Sequence, residues 1–437
     1  VVLLKSFRNI FLISELRKKI AFTLGVLMID RLGTYVPVIG VDVPKLTEFM
    51  QQKSGIGGLL SYFDIFSGGA LNRCTVFALG IAPYITASIM MQILGMTIPS
   101  LEQLIKEGEY GRKIINQYTR YLALGLSIMY SLSYALLLEH QGLALTPGWS
   151  FRILFVLTLS AGSMMVMWLG DQISLYGIGN GSSVIIFAGI VSRYPTMILK
   201  LVHLVQEGNL HILMALMVPI AFLFITASIV FLEKGERKVP VQYARRIVGT
   251  RVFNGQSSYI PFKINSAGIM PVIFAGTVLR FPQLIASMLS TKFPMVHTVV
   301  QAFYSGPLFY VSEFLLIIMF SFFYTALAIN PVELAENIRK NGGFVPGLRP
   351  GNQTAKYFDY LLTRIGLVGA IYLGFLAIFP AVLQLVFNVP FEESGTSMLI
   401  AVGVALELAN QVESYLIERR YEGFLSGGAR VRRGGSR

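Results

Sequence analysis

Charge is what this chain has least of: 14% of its 437 residues are Asp, Glu, Lys or Arg, against about 25% in a soluble domain. With 54% hydrophobic residues and a mean hydropathy of +0.64, that deficit excludes a soluble globular protein. It predicts an all-α protein that crosses a membrane many times. Cysteine is nearly absent, and the single Cys74 excludes an internal disulfide. Histidine is scarce as well. His140, His203, His211 and His297 fall near predicted extracytoplasmic ends or loops, with no H-E-x-x-H and none deep in a span. Ser163, Ser182 and Ser183 therefore lack a histidine partner, which argues against an intramembrane serine protease. No Gly-Lys dipeptide occurs, so there is no G-x-x-x-x-G-K-[ST] loop and nucleotide hydrolysis must belong to a separate partner. No catalytic residue, metal or cofactor is expected.

The rest of the chain is organised around Gly57 to Gln92, GGLLSYFDIFSGGALNRCTVFALGIAPYITASIMMQ. Residues 59–66 (LLSYFDIF) are mostly apolar but far short of the about 20 helical residues, at about 1.5 Å each, that a bilayer core requires. Gly68-Gly69 interrupt them, Asn72 and Arg73 follow, and a charge-free run from Cys74 past Gln92 predicts a full span starting near residue 74. Broken backbone at membrane depth is tolerated only against protein or beside a water-filled cavity. The half-helix is expected either to enter such a cavity or to pack as a static re-entrant element.

Ten spans are predicted, near residues 20–38, 74–96, 116–138, 151–170, 180–198, 211–232, 264–286, 308–329, 362–387 and 395–415. The net charge of +13 is unevenly placed among their connections. One side carries Lys5, Arg8, Arg17, Lys18 and Lys19, then Lys106, Arg112, Lys113 and Arg120. It continues with Lys234, Arg237, Lys238, Arg245, Arg246, Arg251 and Lys263, then Arg339, Lys340, Arg349, Lys356, Arg364 and the tail arginines. The other side has Lys45, Lys53, Arg73, Arg193, Lys200 and Lys292 as its clear members. The positive-inside rule puts both termini in the cytoplasm. No small-residue cleavage site follows the first apolar run, so a removable signal peptide is not expected. Asp30 and Arg31 lie near mid-depth of the first span. Helix neighbours do not face each other, so a mutual pair is not expected. Arg31 should face a wet interior or a partner on another span.

Gly177, Gly179 and Gly181 resemble the start of a G-x-G-x-x-G fingerprint, but the third glycine is misplaced and no strand precedes them; a tight turn into the fifth span is expected instead. Residues 233–263 alternate apolar and polar (VPVQYARRIVGTRVF) and predict a basic cytoplasmic β-hairpin. Residues 330–360 begin helical and turn into a Gly/Pro-rich loop carrying Arg349. Two long basic projections suit docking of something large and anionic; phospholipid attraction, at about 1 kcal/mol per basic residue, accounts only for residues beside the membrane. A secondary transporter would also have broken helices. It would need mid-membrane ionisable residues, and Asp30, Arg31, Glu313 and Glu407 are few and scattered.

FSGGALNR with FALGIAPYITASI, EGEYGRKIINQYTRY, GIGNGSSVIIFAGIV, KINSAGIMPVIFA, FFYTAL with NPVELAENIRK, and FVPGLRPGNQTAKY stand in an order that resembles the SecY family, the central subunit of the bacterial protein-conducting channel. The resemblance covers nearly the whole chain. It implies ten helices in two inverted five-span halves, residues 1–200 and 201–437, around an hourglass pore. The implied plug is the half-helix, with Leu59, Leu60, Tyr62, Phe63, Ile65 and Phe66. The implied constriction is Ile81, Ile85, Ile186, Ile273 and Ile400, an apolar ring that blocks ions without holding a passing chain. Ser182 departs from the family's apolar pattern there. Gln92 and Asn265 match polar positions of a lateral gate, between the second and third and the seventh and eighth spans. A polar pair in lipid is worth about 0.6–2 kcal/mol, small enough for an arriving signal helix to overcome. Arg349 and Arg251 match a docking face for the ribosome and the SecA motor; Thr250 replaces a second basic residue there, shifting weight to Arg245 and Arg246. The remaining implied partners are the small membrane subunits SecE and SecG, signal-bearing polypeptides and phospholipid.

Overall fold

The computed structural model describes residues 13–51, 64, 67–208, 211–243, 246–248, 251–253, 257–289, 302–303, 306–387 and 394–431. The chain forms two compact units, Val1–Ile198 with Val404–Arg437, and Leu199–Gly403. Among the described residues, seven helices are long and apolar enough to cross a membrane, or eight if the pair Ala82–Gly95 and Pro99–Ile105, bent by 104°, counts as one. Helices at Ser14–Gly33 and Met270–Leu289 fill the two other predicted spans.

The first unit begins with α1 (Ser14–Gly33) and the short α2 (Val43–Gln51). It continues through α3 (Ala82–Thr97), α4 (Pro99–Lys106), α5 (Glu109–His140), α6 (Trp149–Tyr176) and α7 (Gly181–Val191). The second span does not start at Cys74. Residues 74–80 are turns apart from Thr75, which bridges to Pro37, and the helix begins only at Ala82, with Pro83 in its first turn, where a missing N–H costs nothing. The reason is competing backbone pairing: Val38 N–H donates to the Cys74 carbonyl at 2.9 Å and Val76 N–H to the Val36 carbonyl at 3.0 Å. Cys74 itself has φ +47°, a left-handed conformation uncommon for a residue with a side chain. This strap is sealed by a cluster of Val38, Leu46, Leu71, Cys74, Tyr134, Phe155 and Leu159. The fifth span is likewise interrupted at Ser192-Arg193 before α8 (Tyr194–Gln206).

The second unit holds α9 (Ile212–Lys234), α10 (Met270–Leu289), α11 (Pro307–Ala328), α12 (Pro331–Lys340) and α13 (Asn352–Phe387). The last helix, α14 (Gly395–Val431), starts in this unit. The predicted hairpin is present as β1 (Glu236–Tyr243) antiparallel to β4 (Ser257–Lys263), with Val239 opposite Ile260. A smaller hairpin at its tip pairs β2 (Arg246–Val248) with β3 (Arg251–Phe253). The second projection joins the same sheet through β5 (Gly343–Phe344), whose Phe344 pairs with Gln242. Val239, Val241, Phe262, Ile338, Val345 and Phe358 form one core beneath it. The two predicted projections are therefore a single platform.

Candidate functional site

Of the half-helix residues, Leu59, Leu60, Tyr62, Phe63, Ile65 and Phe66 lie outside the described residues. Its foot is described. Asp64 is 1% exposed, and its Oδ1 accepts hydrogen bonds from the backbone N–H of Leu71 and of Asn72, both at 3.0 Å. Its Oδ2 accepts from Asn72 Nδ2 at 2.5 Å, and its backbone carbonyl from Gly69 N–H at 3.2 Å. Gly68 has φ +65°, and a Cβ there would collide with Arg31 Nη1 and lie 2.9 Å from the Gly189 Cα, so only glycine fits.

Arg31 reaches this foot from the end of α1. Its Nη1 donates to Ser192 Oγ at 3.2 Å, and its Nη2 and Nε donate to Asp30 Oδ2 at 2.6 and 3.1 Å. The mutual pair judged unfavourable from helix geometry therefore forms. Arg31 lies in the last turn of α1, where its long stem folds back to the neighbouring carboxylate. Asp30 is 2% exposed, so pairing offsets the cost of burying its charge. Arg193, in the break after α7, is within electrostatic reach of Asp64.

The isoleucines fall in both units. Ile81 caps α3 and is 1% exposed; Ile85, one turn on, is half-buried. A Cβ at Gly170 would lie 3.4 Å from Ile81 Cδ1 and 3.5 Å from Ile185 Cδ1, so Ile185, beside the predicted Ile186, shares the Ile81 contact. Ile186 is buried in α7. Ser182 sits in the opening turn of that helix, where its N–H (3.1 Å) and Oγ (2.6 Å) both donate to Asn180 Oδ1. Its polarity serves the cap. In the second unit, Gly403 admits Ile269 against its bare Cα. Ile400 and Ile273 are both buried, each within about a turn of that contact.

Gln92 Nε2 donates to Ser88 Oγ at 3.4 Å in its own helix. Asn265 is 6% exposed, and its Nδ2 donates to Glu233 Oε1 at 2.6 Å. Glu233 falls within the predicted basic loop, and nothing in its local sequence marks it as a partner for a residue 32 positions on.

On the platform, Arg349 is exposed, and its backbone carbonyl accepts from Thr354 Oγ1 at 3.0 Å. Gly347 (φ +83°) and Gly351 (φ +104°) bracket it in left-handed turns. Arg246 and Arg251 fall in the tip hairpin; Arg245 lies outside the described residues, as does Thr250. Among the described residues no group of three or more His, Cys, Asp or Glu could hold a metal ion.

A family model described as SecY matches residues 75–409. The protein translocase subunit SecY of Escherichia coli K12 is 42% identical over 420 residues, covering 94% of this chain and 94% of that protein. The corresponding Thermus thermophilus subunit is 43% identical over 441 residues, covering 98% of each. A solved structure described as a protein conducting channel aligns with a TM-score of 0.63 at 18% identity, covering 91% of this chain and 92% of that one. Sec61 in a canine ribosome-channel complex from the endoplasmic reticulum aligns with a TM-score of 0.63 at 19% identity. At such identities these two likenesses bear on the fold, which is that of the channel.

Proposed function

This chain belongs to the SecY family, and from that membership we propose that it forms a passive protein-conducting channel, threading unfolded polypeptides across a bacterial plasma membrane and releasing apolar segments sideways into lipid. The observation that carries the reading is agreement with translocase subunits over 94% of the chain at 42% identity. Release into lipid is downhill for a helix that satisfies its own backbone.

In this reading residues 1–200 and 201–437 are the two inverted halves, with both termini in the cytoplasm. Ile81, Ile85, Ile186, Ile273 and Ile400 form the constriction, and the 59–66 half-helix is the plug that seals it at rest. Gln92 and Asn265 bias the lateral gate. Arg245, Arg246, Arg251 and Arg349 receive the ribosome or the SecA motor, which supply the energy, while SecE and SecG are the small membrane subunits. Support comes from the single basic platform, for which a small-solute transporter has no use, and from the exposure of Arg349.

The test is reconstitution of the chain with its small membrane subunits in liposomes, adding motor, ATP and a signal-bearing polypeptide. Protease-protected substrate is expected. Saturable, ion-coupled solute uptake without protected polypeptide would replace the channel with a transporter.

A further inference from the structure

The five residues Gly177 to Gly181 carry the chain from α6 into α7, and three of them are glycine, with no side chain to hold the turn in place. Three separate helices hold it instead. Ile178 N–H donates to Thr23 Oγ1 of α1 at 3.1 Å, and Gly179 N–H to Gln411 Oε1 of α14 at 2.8 Å. Gly181 N–H donates to Ser174 Oγ of α6 at 2.8 Å. Thr23 is itself fixed, its hydroxyl donating to the Lys19 carbonyl at 2.9 Å. All of these residues belong to the first unit.

The fit leaves little slack. Gly179 has φ +86°, and a Cβ there would run into Leu408 of α14; a Cβ at Gly177 would meet Thr23 Oγ1. At Gly181 it would meet the Gly170 carbonyl, so α6 and α7 touch backbone to backbone. Gly170 is also the residue beside which Ile81 and Ile185 come together. With 11 residues, α7 is only about 16 Å long. It breaks at Ser192-Arg193, so its opening turn governs its rotation. Successive helix residues point about 100° apart. Rotation of α7 by that step would exchange Ile186 for Ile185 against Ile81, and a smaller one would leave a gap there.

We propose that Gln411 is a positioning residue for the constriction: from the last helix it locks the rotation of α7, so that the isoleucines of that helix stay closed on Ile81. The inference rests on the reading of Ile81 and Ile186 as part of the constriction. An apolar ring excludes ions only while it is narrow enough to stay dry. A turn released from α14 lets α7 roll, and the ring admits water and ions.

The experiment measures idle chloride leak, without substrate, from liposomes carrying the chain with its small membrane subunits. Ile81→Ser with Ile186→Ser makes two ring positions small and wettable and serves as the open reference. Gln411→Met keeps the length of the side chain and removes the oxygen. It is expected to raise the leak about three- to tenfold, the population shift that one hydrogen bond can make. Gln411→Glu keeps an acceptor at the same reach and should stay within about twofold of the parent. Both single variants should still translocate polypeptide in the same liposomes. A leaky reference with a sealed Gln411→Met, or a Gln411→Glu as leaky as Gln411→Met, would overturn the role of Gln411 and leave the constriction standing. Loss of translocation along with the leak would make Gln411 a general fold residue and overturn the assignment as well. A sealed reference would remove the constriction reading, and the inference with it.

Discussion

At the scale of single residues, the most consequential side chain that pattern reading missed is Glu233. Asn265 could be matched to a gate position, but its partner could not, because a hydrogen bond between residues 32 apart has no local signature. At 2.6 Å the carboxylate accepts the Asn265 amide, and hydrogen bonds to charged groups are worth about 1.5–3 kcal/mol. Opening a gate that moves Asn265 must break or carry that bond. Asn265→Leu and Glu233→Ala should therefore both alter which signal sequences are accepted, with the larger effect on weak signals. Export assays with one weak and one strong signal sequence check this; unchanged ratios in both variants would take Asn265 out of the gate. The Asp30–Arg31 pair teaches the complementary lesson. Helical spacing describes where Cβ atoms point, and the reach of a long guanidinium at a helix end overrides it.

At the scale of elements, long periodic segments were legible and short induced ones were not. The alternation in 233–263 predicted the hairpin, whereas Gly343-Phe344 is only two residues long, too short to show a period, and becomes β5 because β1 offers an open edge. The start of the second span was misjudged for a related reason: hydropathy continues through residues 74–80, but their backbone groups pair with the loop after α1. The platform separates fold from docking. Phe358 is fully buried against Phe262, with ring centroids 5.3 Å apart. Phe358→Ala should cost about 3–5 kcal/mol locally and expose the 236–263 segment to limited proteolysis. Arg349 makes no such contribution to the core, so Arg349→Glu should leave the proteolysis pattern intact, since exposed changes usually stay within about ±0.5 kcal/mol. Motor-driven export should nevertheless fall by about tenfold or more. Normal export by that variant would remove Arg349 from the proposed docking face.

At the scale of the whole molecule, the governing quantity is the asymmetry of lysine and arginine between the two sets of connections. The platform segment alone, residues 233–263, carries Lys234, Arg237, Lys238, Arg245, Arg246, Arg251 and Lys263, more basic residues than the clear members of the opposite side together. Each basic residue held near an anionic cytoplasmic leaflet gains about 1 kcal/mol, so the reversed orientation loses several times that sum. The chain offers a clean reporter of the outcome, because its only cysteine, Cys74, has 0% exposure and should be silent to a membrane-impermeant maleimide. Lys45, with 66% of its side chain exposed, and the exposed Arg349 then serve as opposite probes. Lys45→Cys should label in intact cells from which any outer barrier has been stripped, and Arg349→Cys only after the membrane is permeabilised. The reverse pattern would invert the orientation argued from charge. It would also put the platform on the wrong side to meet a motor or a ribosome, so a single labelling experiment bears on the whole arrangement of the channel.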